Sequence, residues 1–282
     1  MEHWRSRRGL STLASTLVLA ALSLLFAYPF VWMFFATFKS NPEIVRVAPL
    51  LPSEFQSTYY RELLGGTWTP FLRQYFNSLI VATAQTTGAV AMSVMAGFVL
   101  GTYRFRGARA VLVLLVALVA IPAPVLVLPL FTWFNRLHLV DTLAAAVLPG
   151  TVSGIGLLYF IQAFRGIPGE LLDVIRTEGA SEYRVFRTTL PLVKNAILTY
   201  GLIHFVLAWQ DHLIPLVMLS SRDRLTVPIA LSSLYGSATV PYALLMVGAL
   251  LTVIPPAIFY VLVRRHFDTA LSRLMGTVGR GA

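Results

Sequence analysis

LASTLVLAALSLLFAYPFVWMFFATF, residues 13–38, runs without a single Asp, Glu, Lys or Arg. A helix rises 1.5 Å per residue, so such a run is long enough to cross a hydrocarbon core, which needs about 20 apolar residues. Arg5, Arg7 and Arg8 precede it. A secretory signal also starts with a basic segment, but its apolar core is only about 7–15 residues long and a small-residue cleavage site follows. Here the run is longer and closes on Phe34, Phe35 and Phe38. It reads as an uncleaved first membrane span.

Outward from it, five further apolar runs follow: Phe76–Tyr103, Ala110–Phe134, Leu143–Phe164, Ala196–Leu219 and Tyr242–Val263. The chain has 282 residues, of which 57% are hydrophobic and 12% charged. Soluble domains carry about 25% charged residues. Backbone groups inside a bilayer must be satisfied within the protein, which leaves helices or a closed barrel. The runs lack the period-two alternation of barrel strands. The expected fold is therefore all-α: a polytopic membrane protein with about six transmembrane helices. Residues 1–12 and 265–282 form the two tails, and residues 13–264 the membrane domain.

Segment 39–74 contains Pro42, Pro49, Pro52, Gly65, Gly66 and Pro70. It is too broken for one long helix and reads as a loop with short helical pieces. The formal charge is +10. The charges lie in short links between apolar runs rather than on one basic face, which argues against nucleic-acid binding. There is no cysteine, so disulfides and thiolate metal sites are excluded.

The basic residues also orient the chain. With the N-terminus inside, the inner segments hold 15 of the 22 lysines and arginines. Cytoplasmic loops are enriched in these residues. Both termini are expected in the cytoplasm, segment 39–74 outside and segment 165–195 inside. Ile121-Pro122-Ala123-Pro124, Pro129, Pro149-Gly150 and Pro255-Pro256 interrupt the spans. Each proline frees a carbonyl and bends a helix, either for packing or for a moving pathway.

One inner segment breaks the membrane pattern. Residues 167–187 read IPGELLDVIRTEGASEYRVFR. Pro168 suits a first helical turn, and Glu170 and Asp173 suit its positive end. Leu171, Val174 and Ile175 recur at helical spacing. Gly179 punctuates the chain, and Ser181 is placed to cap a second helix. Tyr183, Phe186 and Leu190 form its stripe, and Pro191 leads into the fifth span. Such a helix–glycine–helix either folds back onto its own bundle or enters a partner's groove.

This segment resembles the cytoplasmic EAA loop of the permease subunits of binding-protein-dependent ABC importers. The pattern's equivalents are Asp173-Val174-Ile175, Gly179-Ala180-Ser181, Phe186 and Leu190-Pro191, with Val174 and Ile175 replacing two alanines. The likeness extends to Thr37-Phe38-Lys39-Ser40, Phe76-Asn77-Ser78-Leu79-Ile80-Val81-Ala82 and Tyr103-Arg104-Phe105-Arg106-Gly107. It further covers Ile121-Pro122, Leu128-Pro129-Leu130, Trp209-Gln210-Asp211 and Pro215-Leu216. In order, the set is similar to the six-helix permease subunit of maltose-type carbohydrate importers.

The resemblance implies a type I importer permease at the inner membrane, paired with a second, homologous permease. The pair would sit on two ATPase subunits that bind ATP and Mg, and an extracytoplasmic sugar-binding protein would deliver the solute. The ATPase contact would fall on Glu170, Asp173, Val174, Ile175, Arg176, Glu178, Gly179, Ala180, Ser181, Tyr183, Phe186 and Pro191.

The chain itself is not expected to hydrolyse ATP or to hold a cofactor or metal. A phosphate loop ends in Gly-Lys-Ser/Thr. The two lysines, Lys39 and Lys194, follow Phe38 and Val193. Polar residues in or near the spans are Asn77, Gln85, His204, Gln210, Asp211 and His212. Of these, Asn77, Gln85, Gln210 and Asp211, with Trp209, are the pathway candidates. Interhelical bonding or an interfacial position is the competing reading for each. An ion-coupled transporter would need acids near a span centre, and none lies there. Glycerol phosphate, a polyamine or an amino acid are the alternative solutes within the ABC class.

Overall fold

The computed structural model describes residues 2–46, 49–237 and 239–278, with side chains for 15–46, 49–117, 119–237 and 239–264. Among the described residues the regular elements are helical. In chain order they are α1 (Glu2–Ala36), α2 (Asn41–Val45), α3 (Thr58–Leu64), α4 (Phe71–Thr102), α5 (Ala108–Val119), α6 (Ala123–Arg136) and α7 (Leu143–Val147). They continue as α8 (Gly154–Arg165), α9 (Gly169–Thr177), α10 (Glu182–Thr189), α11 (Lys194–Trp209), α12 (Leu213–Met218), α13 (Val227–Tyr235) and α14 (Tyr242–Val278). Helices α1 and α14 thus run on into the segments expected as tails; residues 279–282 lie outside the described residues.

Four stretches are individually long and apolar enough to cross a membrane: Ser15–Ala36, Phe71–Thr102, Glu182–Trp209 and Tyr242–Arg264. A fifth, Leu143–Thr151 with Gly154–Arg165, is bent by 40° at its break. The run expected as span three is divided into helices of 12 and 14 residues. Pro122 is the reason. It has no amide hydrogen to donate and stands in extended backbone just before α6, at φ −62 and ψ 133. The bend in the fourth run starts at Pro149, inside a 3-10 turn, Leu148–Thr151. Pro255 and Pro256, by contrast, lie within α14 without ending it.

The chain divides into two compact units. One comprises residues 1–69 and 233–252, the other residues 70–232 and 253–282. In the first, Phe38 packs on Phe55 and Tyr60 with ring centroids 5.7 and 5.5 Å apart. Lys39 is buried and donates to the Pro49 carbonyl. The Tyr60 hydroxyl donates to Thr37 Oγ1 at 2.9 Å, and the Tyr242 amide to Asn41 Oδ1 at 2.7 Å.

In the second unit, α4 is the axis and packs most extensively on α8, then on α11. Close approach of α4 and α8 depends on glycine: a Cβ at Gly97 would stand 2.5 Å from Phe160 Cβ, and one at Gly101 would stand 2.9 Å from the Ile161 carbonyl oxygen. Small residues four apart let membrane helices meet along their backbones. The resulting core gathers Ala89, Val94, Phe98, Phe160, Phe164 and Tyr200.

Candidate functional site: the helical elbow and the helix cavity

The segment that broke the membrane pattern folds as α9, a turn at Gly179, and α10. Pro168 stands one residue before α9, in the N-cap position, and Glu170 lies in its first turn. Gly179 has φ +77, the left-handed region that L side chains rarely adopt, and its missing Cβ would face open space. Its amide donates to the Arg176 carbonyl at 2.9 Å. Ser181 occupies the N-cap of α10 in extended backbone, but its side chain makes no capping bond.

The elbow has two faces. Leu172 and Val185 are buried in the α4–α8 core, with Ile175, Ala180, Phe186 and Leu190 packed against it. The Phe186 ring lies 5.1 Å from that of Phe98. Leu171, Val174 and Tyr183 point away, with Tyr183 72% exposed. The stripes read from spacing are therefore split: Ile175, Phe186 and Leu190 turn inward, whereas Leu171, Val174 and Tyr183 do not. Spacing shows that a helix has apolar sides, but only the position of α4 and α8 decides which side is covered. Glu170, Asp173, Glu178, Ser181, Glu182 and Pro191 are exposed around the outward residues.

Arg176 fastens the elbow. Its guanidinium lies 5.3 Å from the centre of the Tyr103 ring. It pairs with Glu182 at 3.4 Å and with Asp173 at 3.4 Å. The Tyr103 hydroxyl, at the end of α4, donates to Glu182. Helices α9 and α10 are thus joined to α4 through both apolar packing and this clamp.

Several of the residues expected along a pathway make hydrogen bonds within the chain. Asn77 Nδ2 donates to the carbonyls of Asp223 at 2.8 Å and Leu225 at 3.1 Å. Gln74 Nε2 reaches the Arg222 carbonyl at 2.9 Å, and Ser78 Oγ accepts from the Val227 amide at 2.8 Å. One face of α4 therefore ties down segment 222–227. Gln85 Nε2 donates to the Ala146 carbonyl at 2.7 Å, beside the bend that Pro149 makes. His204 bridges the Gly150 carbonyl at 3.1 Å and Tyr200 at 3.2 Å. Trp209 is buried, with its ring near Phe205 and Tyr75. Asp211 Oδ1 accepts the Leu213 amide at 3.1 Å, in the break between α11 and α12 where Gln210 and His212 also lie. Asn77, Gln85, His204 and Asp211 thus each have a partner within this chain.

Asp141 was not singled out from the sequence. Its backbone is left-handed at φ 60, and its amide donates to the Met218 carbonyl at 2.7 Å. Its carboxylate accepts the Ser221 hydroxyl, the Ser221 amide at 2.9 Å and the Ser220 amide at 3.0 Å, with Arg224 at 3.5 Å. These donors, the Ser221 hydroxyl first, hold its pKa down at about 2. The one available hint in the sequence is an acid between apolar runs.

A cavity of about 590 Å³ opens among α4, α11 and α14, with Tyr75, Phe205 and Phe259 among its walls. Leu79, Ile254, Pro255, Ile258 and Leu262 complete a mostly apolar wall with Thr83, Thr86 and Thr87, and no charged residue lines it. Thr86 is buried, and its hydroxyl has no hydrogen-bond partner. Buried hydroxyls are nearly always paired, but this oxygen is enclosed and does not open onto the cavity. Nothing in the sequence separates Thr86 from the other threonines of the same helix.

A helical membrane protein with broken spans and a two-faced elbow between two of them has the form of a transporter's membrane subunit. The chain belongs to the family of binding-protein-dependent transport system inner membrane components, whose pattern matches residues 93–273. It is 31% identical over 264 residues to the arabinooligosaccharides transport system permease protein AraQ of Bacillus subtilis (strain 168), covering 92% of this chain and 94% of that one. It is 30% identical over 274 residues to the sn-glycerol-3-phosphate transport system permease protein UgpE of Rhizobium meliloti (strain 1021), covering 94% and 97%. Its fold matches a chain of a bacterial ABC transporter involved in the import of the acidic polysaccharide alginate. The TM-score there is 0.78 at 18% identity, over 92% of this chain and 96% of that one.

Proposed function

We propose that this chain forms half of the membrane pathway of an ATP-driven sugar or oligosaccharide importer, with the α9–α10 elbow seated on a partner ATPase. The observation that carries the reading is the two-faced elbow. Its inner face is continuous with the α4–α8 core, while Leu171, Val174 and Tyr183 remain apolar and uncovered. An amphipathic helix offering anchors at such spacing suits a partner's groove. The partners are a second permease, two ATPase subunits carrying ATP and Mg, and an extracytoplasmic binding protein. Both termini and the elbow face the cytoplasm.

The mechanism is switching between packed states. Closure of the ATPase dimer moves the elbow, and the elbow moves α4 and α8 as one body. ATP drives the change only by binding one state better than the other.

The uncharged lining of the cavity supports a neutral solute. The wall is mostly apolar, with Leu79, Ile254, Pro255, Ile258 and Leu262 beside the three aromatic rings, and the absence of charge suits a neutral sugar that stacks a ring face there and reaches the exposed threonines. A phosphate ester such as sn-glycerol 3-phosphate would call for arginine or lysine there. The test reconstitutes the chain with its ATPase and binding protein and follows uptake of neutral oligosaccharides and of glycerol phosphate. Thr83→Val is expected to leave thermal stability unchanged, since this exposed cavity hydroxyl makes no protein hydrogen bond. It should lower sugar uptake roughly tenfold, the worth of one hydrogen bond of about 1.4 kcal/mol. Uptake that is unaffected by Thr83→Val, or that is confined to glycerol phosphate, refutes the assignment of the cavity to a sugar. Failure to isolate any ATPase with the chain refutes the coupling role.

A further inference from the structure

Where α4 ends, α5 begins and α8 ends, Arg104, Arg106, Arg109 and Arg165 line one open pocket of about 540 Å³. Leu100, Phe105 and Leu112 contribute apolar wall, and no carboxylate lines it. Among the described residues the ion pairs are Arg73–Asp223, Arg176–Asp173, Arg176–Glu182 and Arg224–Asp141. None of the four pocket arginines takes part in one. We propose that this pocket binds the phosphate headgroup of an anionic phospholipid.

Three observations converge. First, the arginines are gathered rather than spread. Gly107, at φ +96, turns the chain back on itself so that Ala108 donates to the Phe105 carbonyl at 3.3 Å and Val111 to the Gly107 carbonyl at 3.0 Å. This brings Arg104, Arg106 and Arg109 round one hollow, and Arg165, the last residue of α8, closes it. Like charges gathered in this way repel, and an anion among them removes the repulsion.

Second, the donors have the right form. A guanidinium presents a planar fork that matches phosphate oxygens two at a time.

Third, the level is right. The apolar span of α4 stops at Thr102, and α5 departs with Val113, Leu114 and Val116 exposed. The pocket therefore lies where the helices leave hydrocarbon, with a charged rim for a headgroup and an apolar wall for the glycerol and first methylenes. Basic pockets between membrane helices at this depth hold anionic headgroups. Setting the orientation of the chain needs only the number of basic residues, not their convergence on one cavity, so topology alone does not account for the arrangement.

The inference is independent of the transported solute. Its test uses the full-length chain, purified in detergent and equilibrated with mixed micelles of phosphatidylglycerol and phosphatidylcholine, with retained lipid read by native mass spectrometry. The parent chain is expected to retain phosphatidylglycerol preferentially. Each of Arg104→Gln and Arg106→Gln should reduce the preference about fivefold, the worth of one basic residue at an anionic surface. Arg61→Gln, in the short helix α3, serves as the control and should change nothing. Because lipid is added after folding, a change of topology cannot mimic the result. A monodisperse profile and unchanged melting temperature certify each variant, with Arg109→Gln as the replacement for any that fails.

Equal retention by parent and variants overturns the proposal. The experiment is repeated with the partner ATPase bound. Retention should persist; its loss would assign the arginines to a protein surface and also overturn the proposal. Displacement of phosphatidylglycerol by millimolar glycerol phosphate would identify a site for soluble phosphate rather than for lipid, and would likewise refute it.

Discussion

Gly179 bears a conformation rather than a contact. At φ +77 any side chain is strained, and the open space where its Cβ would stand means that nothing in this chain would clash. Gly179→Asp should therefore cost only about 1 kcal/mol of stability and insert normally. If the elbow is the coupling element, that variant retains ATP hydrolysis by the assembled complex while solute uptake falls at least roughly tenfold. Parallel assays of ATPase and uptake in proteoliposomes check it, and normal uptake would remove the elbow from the mechanism. Asp141 acts in the opposite way, through its bonds. Its carboxyl sits at about 2, below the ordinary 3.8, because donors favour its charged form. The unfolded chain thus takes up this proton first as the pH falls. The stabilisation is complete above about pH 4 and disappears as the pH drops toward 2. Asp141→Asn should lower the melting temperature at pH 7, by the equivalent of about 1 kcal/mol for a partly solvated charge-assisted cluster. It should also flatten the melting profile between pH 4 and pH 2; an unchanged profile would show that the cluster contributes nothing.

At the scale of elements, the seam between α4 and α8 decides whether the elbow is held at all. Phe98, Phe160 and Phe164 from these two helices form the surface on which Val185 and Phe186 rest. At Gly97 the obstruction is backbone as well as side chain, with the Phe160 carbonyl carbon at 3.0 Å and the Ile161 nitrogen at 3.1 Å from a built Cβ. Gly97→Leu should force the helices apart and destabilise by about 1–3 kcal/mol or more. Size-exclusion profiles and melting curves measure this, with Gly169→Ala, where a Cβ meets nothing within 4 Å, as the neutral comparison. Periodicity predicted helices on both sides of Gly179 and they are present. It could not assign their faces, because α9 and α10 have apolar residues on two sides and burial of one side depends on helices far away in sequence. The partners of the pathway candidates were hidden for a related reason. Asn77 and Gln85 look like isolated polar groups in an apolar run until the carbonyls of segment 222–227 and of Ala146 arrive opposite them.

The molecule as a whole extends this lesson to orientation. Fifteen of the 22 basic residues fall on one side of the expected topology. Cysteines introduced at Gly107 and Gly169 should therefore react with a membrane-impermeant reagent only from the cytoplasmic side of oriented vesicles. Reaction from the other side would reverse the topology and separate the elbow from any cytoplasmic ATPase. The sequence alone determined that this chain lives in lipid, because composition and the length of apolar runs are local quantities set by the solvent they must match, and its ordered motifs carried the resemblance to the family. Tertiary structure alone decided which side of the elbow stays free, that Thr86 is left with an unpaired hydroxyl and that four arginines share one pocket. Each of these depends on what another part of the chain brings within a few ångströms, and no spacing along a single segment encodes that.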